Sequence, residues 1–535
     1  MIPGSINPLL LASAAGAAAN YEIERSLRFN SADSAHLSRT FGAPTTQGTF
    51  TFSAWVKRSA LDTTQSLFGV STNHSIGFTS GNALNLTFGG ASALTTTTLF
   101  RDSSAWYHIV WTQSSTNHTI YVNNASQGTA TATSSVFNTA VAHQLGANNT
   151  TNYFNGYLVD IHLIDGQALT PSSFGQADAN GVWQPKAYTG SYGTNGFKLN
   201  FADNSNTTAA TLGKDLSGNA NNWTPNNFSI TAGAGNDSLV DVPTAFGTDT
   251  GAGGQVRGNY CTLNPLVGGA NSGQITFANG NLDATWSAAD NYAVALGSIG
   301  VNSGKWYWET LITGNSGYWL PGIALASASL TTYIGGDASS YGYYSLDGRK
   351  FNNNTASVYG SSYTTNDIIG IAFDADNGKV FFAKNGVWQA SGNPVAGTNA
   401  AYTGLTGRFF PAYAEGSANA ATAYSCNFGQ RPFSYTAPSG FKALCTQNLP
   451  EGTITTSGTF TGNANANGPL VYLNGVPTTM TINGNAVTFA THADKLANGF
   501  KLRTNSVSYN ISGSNTYSVS ATGDKFKNAR AQINP

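Results

Sequence analysis

The chain has 535 residues, too many for one hydrophobic core, so we expect about three domains of roughly 150 residues each. Charged residues make up 9% of the chain and the net charge is −1, whereas an average soluble protein is roughly 25% charged. This balance argues against nucleic-acid binding through a basic surface. Disorder is excluded as well, because 40% of the residues are hydrophobic and 12% are aromatic.

The first residues carry no charged side chain before Glu22. Residues 9–19 are apolar except for Ser13 and Gly16, and the run is shorter than the roughly 20 residues of a membrane-spanning helix. A secretory signal needs a positively charged start, which is lacking before Arg25. We therefore predict that residues 1–24 are an attachment segment that packs against a partner. A signal peptide and a frayed terminus are the alternatives.

Alternation of apolar and polar residues, typical of β-strands, recurs along the chain, and helical periodicity is nearly absent. Residues 49–57 (TFTFSAWVK) form one such strand, and residues 106–112 (WYHIVWT) and 119–123 (TIYVN) predict an antiparallel hairpin. Further on, two Asn-Gly turn pairs flank a strand at residues 379–383 (KVFFA). The sequence therefore predicts an all-β protein built from consecutive antiparallel β-sandwiches.

Two stretches without alternation divide the chain. Residues 204–253 are rich in Asn, Gly and Thr, and residues 436–453 contain two prolines, so both are predicted to be linkers. They leave sandwich-sized blocks at residues 25–203 and 254–435, and a small C-terminal β domain at residues 454–535.

The three cysteines are too few for a disulfide framework or a zinc site, and their number is odd. We expect buried, unpaired thiols in a chain that folds in a reducing cytoplasm. They are Cys261, Cys426 and Cys445.

The first block resembles the laminin-G-like, concanavalin A-type jelly roll. An opening edge strand, a Trp-containing core strand, a central hairpin and a closing strand follow one another in the order expected of that fold. The segments that carry the resemblance are residues 26–40, 50–59, 106–128 and 154–174.

The second block resembles a SPRY domain, which is another β-sandwich. The most specific piece is a strand, a D-x-D-N-G turn, a second strand and an N-G turn at residues 367–386. The supporting segments are residues 303–312, 317–326, 343–351, 366–389 and 408–433. The order of the two sandwiches and the opening MIPGSINPLLLASAAG resemble bacteriophage virion proteins, particularly tail-fibre or decoration proteins.

Concanavalin A-type folds include glycanases, and a retaining glycosidase needs two carboxylates about 5–5.5 Å apart. The closing strand offers Asp160 with His162 where a second acid would stand, and Asp165 falls in a turn. Glu309 is the only acid in a strand of aromatic residues and is expected to pair with a Lys or Arg, for which Lys305 is a candidate, rather than to act as a general acid. The histidines lack metal-ligand spacing, and no nucleophile elbow or phosphate loop appears. We therefore predict no enzyme activity, catalytic residue, metal or cofactor.

Sugar binding needs an aromatic face with Asn, Asp and backbone groups beside it, and two clusters supply such residues. The alternative for both is that the asparagines are ordinary turn residues and the rings pack internally. The first candidate cluster is Asn148, Asn149, Asn152 and Tyr153. The second candidate cluster is Tyr318, Trp319, Tyr341, Tyr343, Tyr344 and Arg349.

The resemblance implies a phage virion protein, a tail fibre or surface decoration, that presents lectin-like sandwiches to host-surface glycans. The implied partners are other virion proteins through residues 1–24, further copies of the chain (a trimer is favoured) and a host glycan or receptor. No nucleic acid and no membrane span are expected. The protein would be assembled into virions in the host cytoplasm. The alternatives are a purely structural capsid or tail adaptor and a polysaccharide depolymerase.

Overall fold

The computed structural model describes residues 21–71, 73–132, 136–149, 151–177, 182–267, 271–288, 292–314, 317–417 and 421–449. Towards the C-terminus it describes residues 453–465, 470–472, 479–488, 493–496, 499–502, 506 and 508–522. Strands dominate these residues, and short 3-10 turns occur at Pro171–Ser173, Ser272–Gln274, Gln389–Ser391 and Thr446–Asn448. The predicted all-β class is therefore confirmed.

The first sandwich consists of two facing antiparallel sheets. Stacking of Phe52 on Phe68, with ring centroids 5.0 Å apart, joins the two sheets. The larger sheet contains β1 (Ser26–Phe29), β3 (Thr49–Arg58), β8 (Trp106–Ser114), β9 (Asn117–Val122), β10 (Ala125–Thr131), β12 (Gly156–Asp165), β15 (Phe197–Leu199) and β17 (Ser238–Leu239). Its inner order is β9-β8-β3-β12-β1. The smaller sheet contains β2 (His36–Thr40), β4 (Gln65–Ser71), β5 (His74–Phe78), β6 (Ala83–Phe88), β7 (Ala91–Leu99), β11 (Ala142–Leu145) and β16 (Thr224–Asn226).

The predicted strand at 49–57 is β3, and the predicted hairpin is formed by β8 and β9. Both faces of β3 are buried rather than one. The second face is covered because the chain after β12 folds back over the larger sheet, carrying Phe174 and a short hairpin of β13 (Gly175–Ala177) and β14 (Trp183–Pro185). This covering segment shapes the outer surface of the first sandwich.

Residues 204–253, predicted to be a linker, instead fold onto the first sandwich. They supply β16 and β17, and their Trp223 is fully buried against Phe197, with ring centroids 4.9 Å apart. The Asn- and Gly-rich composition serves tight turns within a packed segment, because single large apolar residues between those turns fill the core.

The second sandwich has the same two-layer construction. Phe373 and Phe409 meet between its sheets with ring centroids 5.4 Å apart, and the Asn-Gly turns lie where predicted, around β27. One sheet contains β18 (Ile275–Ala278), β19 (Asp283–Trp286), β21 (Lys305–Thr313), β26 (Ile368–Asp374), β27 (Lys379–Lys384), β28 (Val387–Trp388), β30 (Ala423–Asn427) and β31 (Lys442–Ala443). The other contains β20 (Val294–Leu296), β22 (Trp319–Leu325), β23 (Ser340–Tyr343), β24 (Lys350–Asn352), β25 (Thr355–Ser357) and β29 (Phe409–Glu415).

Residues 436–453, the second predicted linker, also take part in the second sandwich where they are described. β31 pairs in parallel with β21, and the backbone of Cys445 bridges to that of Tyr260. Beyond them, small antiparallel sheets form the predicted C-terminal β domain. Its strands are β32 (Thr453–Gly462), β33 (Leu470–Tyr472), β34 (Thr479–Ile482), β35 (Asn485–Ala486), β36 (Ala493–Leu496), β37 (Gly499–Leu502) and β38 (Gly513–Thr522).

The two sandwiches share one continuous cluster of buried apolar residues. The buried Lys57 ammonium group of β3 donates to the Asn259 side chain at 2.8 Å and to the Tyr260 carbonyl at 3.0 Å, across the boundary between the sandwiches. The Tyr157 hydroxyl also donates to the Gly280 carbonyl at 2.8 Å, across the same boundary. Fully buried polar contacts of this kind require fixed partners, so the sandwiches form one packed body.

Of the predicted attachment segment, residues 1–24, the structure describes only residues 21–24. Residues 1–20 lie outside the described residues. Glu22 forms an ion pair with Arg257 at 2.6 Å, and the Ile23 amide donates to the Thr244 hydroxyl at 3.2 Å. Residues 21–24 thus belong to the folded body, because their side chains and backbone are bound to the segment that leads into the second sandwich.

Candidate functional site

The first candidate cluster is a tight turn between β11 and β12. Asn148 is buried, whereas Asn149 and Asn152 are exposed and adopt positive φ angles of 53° and 48°. Asparagine tolerates this conformation better than most residues. The half-buried Tyr153 ring rests on His36 at 5.8 Å between ring centroids. Turn geometry therefore accounts for the asparagines, and Tyr153 is the aromatic ring that this cluster presents near the surface.

The second candidate cluster is divided between two faces of one sheet. Trp319 and Tyr343 point into the core of the second sandwich, with exposures of 1% and 0%. The Trp319 indole N–H contacts the carbonyls of Thr313 and Ala423, both at 3.1 Å, and the Tyr343 hydroxyl donates to the Ser361 carbonyl. These two rings are packing residues whose polar atoms are bound internally.

Of the remaining members, Tyr318, Tyr344 and Arg349 lie near one another on the outer face, whereas Tyr341 packs on the core side of the sheet. Tyr318 and Tyr344 share an apolar cluster on the outer face, and Tyr344 is 8% exposed. Tyr341 packs on Tyr402, with ring centroids 4.9 Å apart. The half-exposed Arg349 binds Asp347 at 2.6 Å. Strand alternation separates neighbouring residues in this way, so the six residues do not form one shared binding surface, and only Tyr318, Tyr344 and Arg349 lie together on the outer face.

Glu309 does not pair with Lys305. Its carboxylate accepts hydrogen bonds from the backbone amides of Ser434 and Tyr435 at 2.7 and 2.8 Å. Lys305 instead pairs with Asp374, at 3.2 Å. The predicted pairing was wrong because a segment distant in sequence supplies the donors that a buried carboxylate requires.

Asp160 lies at a β-bulge of β12 and is almost fully buried. It adopts a φ of 48° where the register with β3 shifts. Its Oδ1 accepts the Tyr21 hydroxyl at 2.6 Å and lies 3.1 Å from His162 Nε2. Burial alone would raise the pKa of Asp160, but His162 and the Tyr21 hydroxyl lower it below its ordinary value. Asp160 is thus held as a carboxylate.

Asp165 belongs to a separate hydrogen-bond network. Its carboxylate accepts the backbone amides of Thr45 and Asn195 at 2.6 and 3.0 Å, and the Asn138 side chain at 2.7 Å. Burial alone would raise the pKa of Asp165, but these donors lower it. A retaining glycosidase needs one carboxyl group kept protonated, and neither aspartate meets that condition.

Ser53 and His108 form a buried pair on the outer side of the larger sheet. Ser53 Oγ lies 2.8 Å from His108 Nε2, and the Trp183 indole N–H donates to His108 Nδ1 at 2.9 Å. Because Nδ1 accepts, the neutral imidazole carries its proton on Nε2 and donates it to Ser53. His108 therefore cannot take the proton of Ser53, as a general base in a nucleophilic pair must.

One feature of the covering segment was missed by sequence reasoning. Residues 188–194 (YTGSYGT) line a surface depression of about 580 Å³ at the edge of the first sandwich. These two tyrosines stand among Gly, Ser and Thr without the Asn, Trp or Arg residues of the predicted clusters, so the criterion applied to the sequence passed over them.

Among the described residues, no group of three or more His, Cys, Asp or Glu residues could hold a metal ion. In the same part of the chain, no helix is long and apolar enough to cross a membrane.

The fold and the polar, aromatic surface define a protein of two lectin-like β-sandwich domains. Residues 30–174 match the family described as the Concanavalin A-like lectin/glucanases superfamily, and residues 305–431 match the SPRY domain. The chain therefore contains a concanavalin A-like domain followed by a SPRY domain, as the sequence predicted.

Similar curated proteins match over the SPRY region. Ran-binding protein 10 of Danio rerio is 31% identical over 133 residues, which cover 24% of this chain and 20% of that protein. Ran-binding protein 9 of Homo sapiens is 31% identical over 133 residues, 24% of this chain and 17% of that protein. The chain thus spans about a fifth of the length of the curated relatives it matches. The solved SPRY domain of human HERC1 is 19% identical with a TM-score of 0.26, over 31% of this chain and 96% of that domain.

Proposed function

We propose that this protein is a non-enzymatic component of a bacteriophage virion, a tail fibre or surface decoration, that binds glycans of the host surface. The observation that supports binding without cleavage is the state of the two aspartates on the closing strand of the concanavalin A-like domain. Asp160 and Asp165 are held ionised in separate networks, so neither is a protonated general acid. A lectin/glucanase sandwich built in this way binds saccharide without cleaving it.

The virion role is supported by the sequence. The order of the two sandwiches resembles phage fibre and decoration proteins, and low charge with three unpaired thiols suits a particle protein assembled in the host cytoplasm. In this proposal residues 1–20 attach the folded body to other virion proteins, and copies of the chain associate, with a trimer favoured.

A purely structural adaptor is the second candidate. The SPRY region is 31% identical to proteins named for binding Ran, another protein, so the second sandwich could contact a protein of the particle instead of a glycan. The two functions predict different partners for the same purified chain.

The experiment uses the full chain and an array of bacterial surface polysaccharides. The proposal expects saturable binding and, after prolonged incubation, no shorter saccharides by size-exclusion chromatography. Steady release of oligosaccharides would identify a depolymerase and contradict the proposal. Absence of binding to every polysaccharide, with particles that still carry the protein by immunogold labelling, would favour the structural adaptor.

A further inference from the structure

The surface depression on the first sandwich is lined by neutral groups. Two tyrosines supply its aromatic surface, and hydroxyl, amide and backbone groups supply the rest. None of the described residues that line it carries a charge. They are Thr45, Tyr188, Thr189, Gly190, Ser191, Tyr192, Gly193, Thr194, Ser217 and Asn219.

Buried carboxylates hold the walls of this depression in place. Asp165 binds the amides of Thr45 and Asn195, as described above, and Asp215 accepts the Ser217 hydroxyl at 2.7 Å. The Asn219 side-chain amide donates to the carbonyls of Gly193 and Gly196 at 2.6 and 2.9 Å. Positioning groups of this kind lower the cost of binding, because the walls are ordered before a ligand arrives.

The aromatic surface is equally fixed. The Tyr188 ring stacks on Phe174, with centroids 5.2 Å apart and an angle of 26°, and meets Tyr192 edge-on at 5.1 Å. The Tyr188 hydroxyl donates to the Ser191 carbonyl at 2.9 Å. Tyr188 is half-buried, so part of a rigid ring remains at the surface of the depression.

Polar groups beside this ring are available to a ligand. Thr189 is exposed, and its hydroxyl makes no hydrogen bond to a described residue. The Asn219 carboxamide oxygen likewise accepts nothing from the described residues, because only its nitrogen is engaged with the loop. A donor-acceptor hydroxyl and an acceptor amide oxygen are matched to sugar hydroxyl groups.

We propose that this depression binds a neutral saccharide, with one pyranose ring against Tyr188 and its hydroxyl groups on Thr189 and Asn219. The proposal rests on the glycan-binding function and adds its location and ligand class. A neutral sugar fits because the lining supplies no cation for an acidic one. The carboxylate of Asp165, directly behind the lining, would repel a sugar carboxylate or sulfate.

The test measures binding of the full chain to arrayed neutral hexose oligosaccharides, with carboxylated and sulfated oligosaccharides beside them. Tyr188→Ala should weaken binding to the neutral set by about tenfold, a value typical of losing an aromatic contact. Thr189→Ala, which disturbs no described hydrogen bond, should weaken it several-fold. Tyr435→Ala is the matched control, since it removes a half-buried ring that lies outside the depression and outside both candidate clusters, and its binding should equal that of the unmodified chain.

The outcomes separate this inference from the function on which it rests. If the unmodified chain binds but Tyr188→Ala and Thr189→Ala bind equally well, the location is overturned and glycan binding stands. Binding confined to the acidic oligosaccharides overturns the ligand class. Failure of the unmodified chain to bind any saccharide overturns both. Tyr188→Phe, which keeps the ring and its packing on Phe174, should retain most of the affinity and so shows whether the alanine variant failed through misfolding.

Discussion

Lys57→Met should destabilise the body formed by the two sandwiches. The Lys57 ammonium group is fully buried and donates to Asp241, Asn259 and the Tyr260 carbonyl at 2.8, 2.8 and 3.0 Å. Burial raises the pKa of Asp241, and Lys57 is the main group that opposes this rise. Without the lysine, Asp241 keeps only two longer bonds, both 3.3 Å, from Trp106 and the Tyr260 amide. Removing one partner of a buried ion pair costs about 3–5 kcal/mol.

Differential scanning calorimetry measures this loss. A packed body of this size unfolds with an entropy of about 0.9 kcal/mol per kelvin, so the melting temperature should fall by about 3–6 °C at pH 7. The deficit should shrink at pH 5, because the unpaired Asp241 can then take up a proton. The control is the double variant Lys57→Met with Asp241→Asn, which removes the uncompensated charge and should recover most of the stability. A fall below 2 °C in the single variant, or separate transitions for the two sandwiches in the unmodified chain, would refute the inference of one packed body.

Desolvation raises the pKa of Glu415 to about 7 despite a hydrogen bond from the Ala293 amide. Protonated Glu415 therefore stabilises the fold fully when the pH is below the ordinary pKa of a glutamate, and this stabilisation is lost as the pH rises through about 7. Glu415→Gln should therefore melt with the unmodified chain at pH 5 and above it at pH 8, and equal melting at both would contradict this. Burial raises the pKa values of the three thiols to about 11 or 12, so iodoacetamide should modify none in the native protein and all three after unfolding; a single modified thiol would reveal a disulfide. A chain starting at Tyr21 keeps every described contact and should melt unchanged yet fail to join virions, whereas normal incorporation would make the missing residues a frayed terminus.

The fold class could be predicted because its determinants are local. Strand alternation in residues 49–57 and the hairpin of residues 106–112 and 119–123 depend on neighbours within a few positions, and so do the Asn-Gly turns. Each of these predictions is confirmed by β3, β8, β9 and β27. The order of the two sandwiches could be predicted as well, because each sandwich is recognised from a series of strands and turns that follow one another along the sequence.

The sequence by itself thus determined an all-β chain with a concanavalin A-like domain, a SPRY domain and unpaired cysteines. Only the tertiary structure decided which aromatic residues reach the surface. Trp319 and Tyr343 are buried because β30 and the loop around Ser361 cover them, and Trp223 turns an apparent linker into core. Tyr188 stays near the surface because the chain after β12 folds back over the sheet and places the ring on Phe174. The residues beside a tyrosine in the sequence do not show whether its ring is buried, because the segment that covers the ring is distant in sequence. Burial is therefore decided by tertiary packing.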